Sequence, residues 1–251
     1  MVVSVITVVY NNIATIGSCL ESVYGQEDIC LEHIIVDGNS SDGTLEVIKQ
    51  KINGRVTKLI SEKDEGIYDA MNKGLLLSTG DIVGFLNSDD FYADKFSLLS
   101  IVNSFESNKS LKIVYGNIEY VNENNIDHTV RFWKSENFHK GYFESGNVPP
   151  HPSLFVKREC FDQIGSFDLD FKLAADYEFM FRLFKQYGWQ SCYLDVSLVK
   201  MRLGGATNNS IRNILKQNIE ILNAWRRNGI SPPLLLMPKR LLKRLNQFWN
   251  R

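Results

Sequence analysis

The sequence predicts an α/β fold with a mostly parallel central sheet flanked by helices, followed by a helical C-terminal extension. Two observations carry this expectation. Over the first ninety residues, short β-rich runs alternate with segments of helical spacing, the pattern of parallel strands joined by crossover helices. Three of the strand ends then carry polar clusters, at Tyr10-Asn-Asn12, Asp37–Asp42 and Asn87–Asp90. Sheets of this kind bind ligands beyond the carboxyl ends of their strands.

Taken in order, Val2–Val9 reads as a buried strand, and Thr15–Tyr24 as a helix with Ile16, Cys19, Leu20 and Val23 on one face. His33–Val36 lies in a second strand. The turn Asp37–Gly43 follows, dense in residues that tolerate left-handed backbone or cap a helix, and Leu45, Ile48 and Ile52 then give helical spacing. Val56–Ser61 is a third strand, Ile67–Ser78 a helix and Asp81–Leu86 a fourth strand. Ile113–Val121 and Thr129–Trp133 flank Asn122–Asp127 as a hairpin. Lys134–Pro152, polar, aromatic and glycine-rich, reads as a loop over the site. Helical patterns return at Ala175–Gln186 and Ser210–Arg227.

At 251 residues, with 44% hydrophobic and 23% charged positions, the chain has the composition of a folded globular protein rather than a disordered one. Its four cysteines show no paired spacing, which suits a reducing cytosol and argues against a structural zinc site. The N-terminal apolar run lacks a basic flank and a cleavage site, so it is expected to be a strand and not a signal peptide. No stretch reaches the ~18–20 apolar residues of a bilayer-spanning helix. No GxxxxGK[ST] or GxGxxG occurs, which removes the P-loop and dinucleotide readings and weakens a nucleotidyltransferase. Nucleic acid is not an expected partner, since no recognition motif accompanies the basic tail.

That tail is distinct. From residue 221 onward there are seven basic residues and no acid, leaving the body acidic. Leu234–Arg251 reads as an amphipathic helix, with Leu241, Leu242, Leu245, Phe248 and Trp249 beside Lys239, Arg240, Lys243, Arg244 and Arg251. Such a face suits an anionic membrane surface, where each cation contributes ~1 kcal/mol. A helix packed on the body with a solvated basic face has the same pattern. The first reading implies a cytoplasmic protein, peripheral on the inner face of the membrane.

Several residues carry chemistry. Asn87-Ser-Asp-Asp90 ends an apolar strand, and adjacent carboxylates there suit a hard dication bridging to a diphosphate; they equally suit a polar turn before a helix near Lys95. Asp37 is placed to read a base or ribose edge, or to bond its own turn. In Ser61–Gly74, Asp69 and Lys73 are spaced to pair on a helix surface, while Asp64 precedes the helix. Asp176 and Glu178 lie on opposite sides of one helix. Glu178, with Arg182 four residues on, reads as a solvated ion-pair face. Asp176 shares the apolar stripe of Phe179, Met180 and Leu183, and is the better candidate base; it also suits an N-cap. His151 and the Gly204-Gly205 turn are weaker candidates for acceptor or phosphate contact.

In order, Val3–Asn11, Val36–Thr44, Asp64–Gly74 and Asn87–Asp90 resemble the family-2 glycosyltransferases of GT-A fold. The likeness covers residues 1 to about 95 closely. It is looser through His151-Pro-Ser153, Ala175-Asp176 and Gly204-Gly205. The resemblance implies a GT-A domain over 1–208, with a nucleotide-binding half (1–95), an acceptor half (96–208) and an extension (209–251). It implies that Thr7, Tyr10, Asp37, Asp64, Asp69 and Asp89 serve the nucleotide. Asp89 and Asp90 would contact ribose and a divalent metal, Mn2+ or Mg2+, although Asn87 stands where the family's first acid is usual. Asp176 would be the base for the acceptor hydroxyl, with Ala175 replacing a usual glutamate. The implied reaction is inverting transfer from a nucleotide-sugar, expected to be a UDP-sugar, to a lipid-linked or growing glycan in surface-polysaccharide assembly.

Overall fold

The computed structural model describes residues 1–52, 57–122, 125–203 and 211–248. The expected alternation holds through the first half: β1 (Val2–Val9), α1 (Ile16–Tyr24), β2 (Cys30–Asp37), α2 (Thr44–Lys51), β3 (Thr57–Ser61), α3 (Ile67–Leu77) and β4 (Ile82–Asn87). Next come β5 (Asp90–Tyr92), α4 (Ser97–Ser107), β6 (Ile113–Asn122), β7 (Asn125–Trp133), β8 (Phe155–Lys157), α5 (Arg158–Ile164), α6 (Ala175–Tyr187), β9 (Ser191–Arg202), α7 (Ile211–Arg227) and α8 (Leu236–Asn246).

The strands form one sheet in the order β3-β2-β1-β4-β8-β6-β9-β5, with β7 paired to β6. β3, β2, β1 and β4 are all parallel. β8 joins β4 and β6 antiparallel, and β9 runs parallel to β6. The parallel strands are buried on both faces, as crossover connections require. Along β1, Val3 and Val5 pack with α1 and α4, while Ile6 and Val8 face α3, the two-residue period of a pleated strand. The carboxyl ends of β1, β2, β3 and β4 therefore open on one edge.

Several expectations are corrected. Residues 134–150 form a loop, as expected of Lys134–Pro152, but its aromatic residues are not a surface cover: Tyr142 and Phe143 are buried in the main core, in a ring cluster with Phe184 of α6. Its aromatic residues are core residues carried on irregular backbone. Glu178 is 2% exposed and not on a solvated face. The segment 164–166 and α7 cover that side of α6, so Arg182 pairs with Glu178 at 2.8 Å while donating to the Ser166 carbonyl, and Asn228 donates to Glu178 at 3.1 Å. The terminal helix spans only Leu236–Asn246 and packs on the body through the fully buried Leu236. β5, α5 and β9 were not anticipated, and α4 only as a helix near Lys95.

Candidate active site

The donor-side residues are set by turn chemistry at the ends of β1, β2 and β3. Asp37 closes β2, is fully buried, and accepts from the Ser40 amide at 3.1 Å and the Ser61 hydroxyl at 2.6 Å. Asp64 accepts from the Gly66 amide at 2.9 Å, and Asp69 from the Glu65 amide at 3.0 Å. Asp69 also faces Lys73 at 3.4 Å, the anticipated pair, and Lys73 reaches Glu62 at 2.8 Å. Tyr10 stands out from the β1 end, 65% exposed. Gly38 lies between these groups. A Cβ there would collide with the Asp64 carboxylate and approach the Tyr10 ring to 3.3 Å. Tyr10, Asp37 and Asp64 thus converge around one small residue. Thr7 does not join them: it is fully buried, and its hydroxyl bonds His33 Nε2 at 2.9 Å between β1 and β2. Its side chain is enclosed within the sheet.

The acidic turn after β4 is held from three directions. Asn12 donates to the Ser88 hydroxyl at 2.8 Å, Thr15 to the Ser88 carbonyl at 2.9 Å, and Arg202 to the Asp89 carbonyl at 2.6 Å. Arg202 also bonds Ser18 at 2.9 Å and lies over the Phe91 ring. Sequence reading missed Arg202; its distance from the acidic turn along the chain left no signal. Asp89 is half-buried. Asp90 is fully buried at the start of β5 and accepts from Asn87 at 3.1 Å. Burial pushes both carboxyls above their ordinary range, and the charge of Asp89 adds to the shift at Asp90. The neighbouring Cys19 thiol is raised by burial and then by Asp90 and Asp89.

Two buried acceptors here, Asp90 Oδ1 and Asn87 Oδ1, have no hydrogen-bond partner among the described residues. No cluster of three or more His, Cys, Asp or Glu side chains that could hold a metal occurs among those residues. Close carboxylates with unsatisfied oxygens fit a hard dication that draws its other ligands from water and phosphate. They do not fit a structural zinc site with four protein ligands.

Asp176 occupies the first turn of α6, whose preceding residue Ala174 makes no side-chain cap. It is therefore not the N-cap. The amides of Leu173 and Ala174 instead bond the Glu220 carboxylate of α7, at 2.8 and 2.9 Å. Tyr68 of α3 donates to Asp176 Oδ1 at 2.9 Å. This bond ties the 61–69 segment beside the donor-side turns to the head of α6. Burial and the Asp176 charge hold the Tyr68 phenol well above its ordinary value. His151 is buried and stacks on Phe85, and burial pulls its imidazole down while Asp176 opposes. Gly205 lies outside the described residues, as does the anticipated boundary at 208.

The Glycosyl transferase family 2 model matches residues 4–164. A PGL/p-HBAD biosynthesis glycosyltransferase of Mycobacterium tuberculosis is 27% identical over 236 residues, covering 93% of this chain and 89% of the relative. Among solved structures, S. aureus TarS superposes with TM-score 0.67 at 17% identity over all of this chain, which spans 44% of that protein. Mannosyltransferase PcManGT from Pyrobaculum calidifontis, crystallised with GDP-Man and Mn2+, gives 0.67 at 18% identity, covering 98% of this chain and 71% of that one. The fold is that of the GT-A glycosyltransferases, and the protein is a transferase enzyme. The chain belongs to glycosyltransferase family 2.

Proposed function

We propose that the chain moves a sugar from a nucleotide-diphospho-sugar to an acceptor hydroxyl by inverting single displacement, with Asp176 as general base. The observation that carries the reading is the Tyr68–Asp176 bond, which sets a carboxylate beside the donor-side turns. Tyr10, Asp37 and Asp64 hold the nucleoside, and Asp69 steadies the 61–69 segment. Asp89, the more accessible acid, would hold a divalent cation with Asp90 behind it. That cation would neutralise diphosphate charge as the leaving group departs. Asp176 accepts the acceptor proton, so its hydroxyl attacks from the face opposite the diphosphate. The convergence of Tyr10, Asp37 and Asp64 supports a nucleotide site, and TarS crystallised with UDP supports uridine as the base.

A lipid-linked acceptor for surface-polysaccharide assembly fits the C-terminal extension. Leu241, Leu242, Leu245 and Phe248 are exposed on α8 and just after it, near Lys239 and Lys243. An apolar surface with cations alongside matches an anionic bilayer. Arg240 is subtracted from the anticipated cationic face, because it turns inward, and Arg251 lies outside the described residues. No helix among the described residues is long and apolar enough to cross a membrane.

The test is Asp176→Asn. Acceptor-dependent UDP release should fall about a thousandfold, within the usual range for loss of a general base, with UDP affinity held within about twofold by calorimetry. Near-normal turnover would remove Asp176 from the mechanism. Flotation with anionic vesicles should fall severalfold for Leu241→Ser combined with Leu242→Ser; equal flotation would remove the membrane contact.

A further inference from the structure

The helix that carries Asp176 cannot cap its own N-terminus. A Ser, Thr, Asp or Asn at the N-cap, with Glu or Gln three residues on, would satisfy free amides of the first turn. In α6 those two positions are Ala174 and Tyr177. Ala174 and Ala175 are fully buried, and the Tyr177 hydroxyl is engaged as the acceptor of the Trp225 indole N–H.

The missing acceptor comes from α7. One oxygen of Glu220, Oε2, accepts from the Leu173 amide at 2.8 Å and from the Ala174 amide at 2.9 Å. Gln217, three residues earlier and so on the same helix face, donates to the Leu173 carbonyl at 3.2 Å. The Leu173–Ala174 peptide is therefore gripped at both of its polar ends. Past Asp176, Trp225 donates to Tyr177 at 2.9 Å and Asn228 to the buried Glu178 at 3.1 Å. α7 thus holds the backbone ahead of Asp176 and the side chains after it, while Tyr68 of α3 holds the Asp176 carboxylate itself.

Asp176 is the second residue of α6, in a turn with no intrahelical partners for its amides. Its carboxylate points where that backbone points, and a bond such as Tyr68–Asp176 weakens steeply as its angle closes. For a catalytic group, a misplacement of about 1 Å costs on the order of a hundredfold in rate.

We propose that Glu220, with Gln217, is the positioning residue for the base: α7 supplies in space the cap that α6 lacks in sequence, and so aims Asp176 at Tyr68 and the acceptor hydroxyl. This rests on the reading of Asp176 as base. Both residues lie beyond the stretch 4–164 that matches the family model. The segment from 209 onward, expected as an extension, becomes part of the catalytic machinery.

The test reads the Tyr68–Asp176 bond by NMR of the full chain, with tyrosine labelled with carbon-13 at Cζ. The Tyr68 resonance is the one lost in Tyr68→Phe, and Asp176→Ala gives its position with the bond broken. Glu220→Ala should move the resonance most of the way to that position. Glu220→Gln keeps an acceptor for both amides and should leave it near wild type, and Gln217→Met, which frees only the carbonyl end, should move it less than Glu220→Ala. UDP affinity should stay within about twofold in all three. Glu220→Ala loses two hydrogen bonds and will melt earlier, so Ile48→Ala, in the separate core cluster with Ile16 and Leu20, is the destabilised control and should leave the resonance in place. A wild-type resonance in Glu220→Ala would overturn the proposal. Equal displacement by Glu220→Gln or by Ile48→Ala would also overturn it, assigning the effect to charge or to overall stability. If Asp176→Asn keeps normal turnover, the reading of Asp176 as base falls and takes this inference with it. If Asp176→Asn is inactive and only the Glu220→Ala resonance fails to move, the base reading stands.

Discussion

The donor side and the base side of this site are built over different ranges of the chain. Around the nucleoside-side turns many of the bonds are local: Asp37 to Ser40, Asp64 to Gly66, Asp69 to Glu65, although Ser61 reaches Asp37 across 24 residues and Arg202 reaches the acidic turn across 113. On the base side they are long. Asp176 meets Tyr68 across 108 residues, Tyr177 meets Trp225 across 48, and the head of α6 is closed by Glu220 of α7. The turns carrying Asp64 and Asp69 can therefore form where their own strand ends. The base is positioned only when the sheet and the C-terminal helices are assembled together.

The largest effect that separates the two sides is expected at Trp225, fully buried between α7 and α6 and bonded through Nε1 to the Tyr177 hydroxyl at 2.9 Å. Trp225→Ala should lower unfolding free energy by about 3–5 kcal/mol. Below its melting temperature it should impair turnover far more than UDP affinity. Urea denaturation and calorimetry on the same variant check both. Equal losses on the two sides would break the distinction.

A second effect lies under the donor side and is a matter of pH. His33 is buried and held neutral, its pKa pulled from 6.5 to about 3 by desolvation. Beside it, burial opposes ionisation of Glu32, but hydrogen bonds from Lys58, Ser4 and Thr79 outweigh it and hold the carboxyl at about 2 against an ordinary 4.5. For both groups the unfolded chain binds more protons than the folded one below the ordinary pKa, so acid destabilises. From pH 6.5 down, His33 alone should remove about 1.4 kcal/mol per unit. Below pH 4.5 Glu32 steepens the fall, until each group reaches its folded value. Denaturation midpoints across this range should show two slopes for the wild type. Glu32→Gln should show a shallower second segment, and an unchanged profile would contradict the assignment.

The smallest effect should be at Gly38. Gly38→Ala puts a methyl against the Asp64 carboxylate and the Tyr10 ring. UDP affinity should fall about tenfold, near 1.4 kcal/mol, with stability nearly unchanged. Undiminished affinity would place the nucleotide elsewhere.

This difference in range also explains what the sequence made legible. The strand–helix alternation and the three polar strand ends could be read from residues close together in the chain. Arg202 clamping the acidic turn and Arg240 lying on Tyr177 could not, because each reaches its partner only through the folded sheet. Thr7 was misplaced for a related reason. Its position in a motif said nothing of whether its hydroxyl faced a cleft or His33. Glu178 was misplaced because its spacing to Arg182 fits a surface pair as well as a buried one, and only the cover supplied by 164–166 and α7 decides between them. α4 was expected only as a helix near Lys95, although Leu98, Ile101, Val102 and Phe105 repeat on one face and mark its extent.

The most direct test of the donor side is calorimetric titration of UDP and GDP into the full chain, with manganese and then with chelator, repeated on Asp89→Asn. UDP should bind in manganese, and at least tenfold more weakly in chelator and to the variant. UDP binding of equal strength in all three would contradict a cation held at Asp89, and with it the way this site is proposed to release the nucleoside diphosphate.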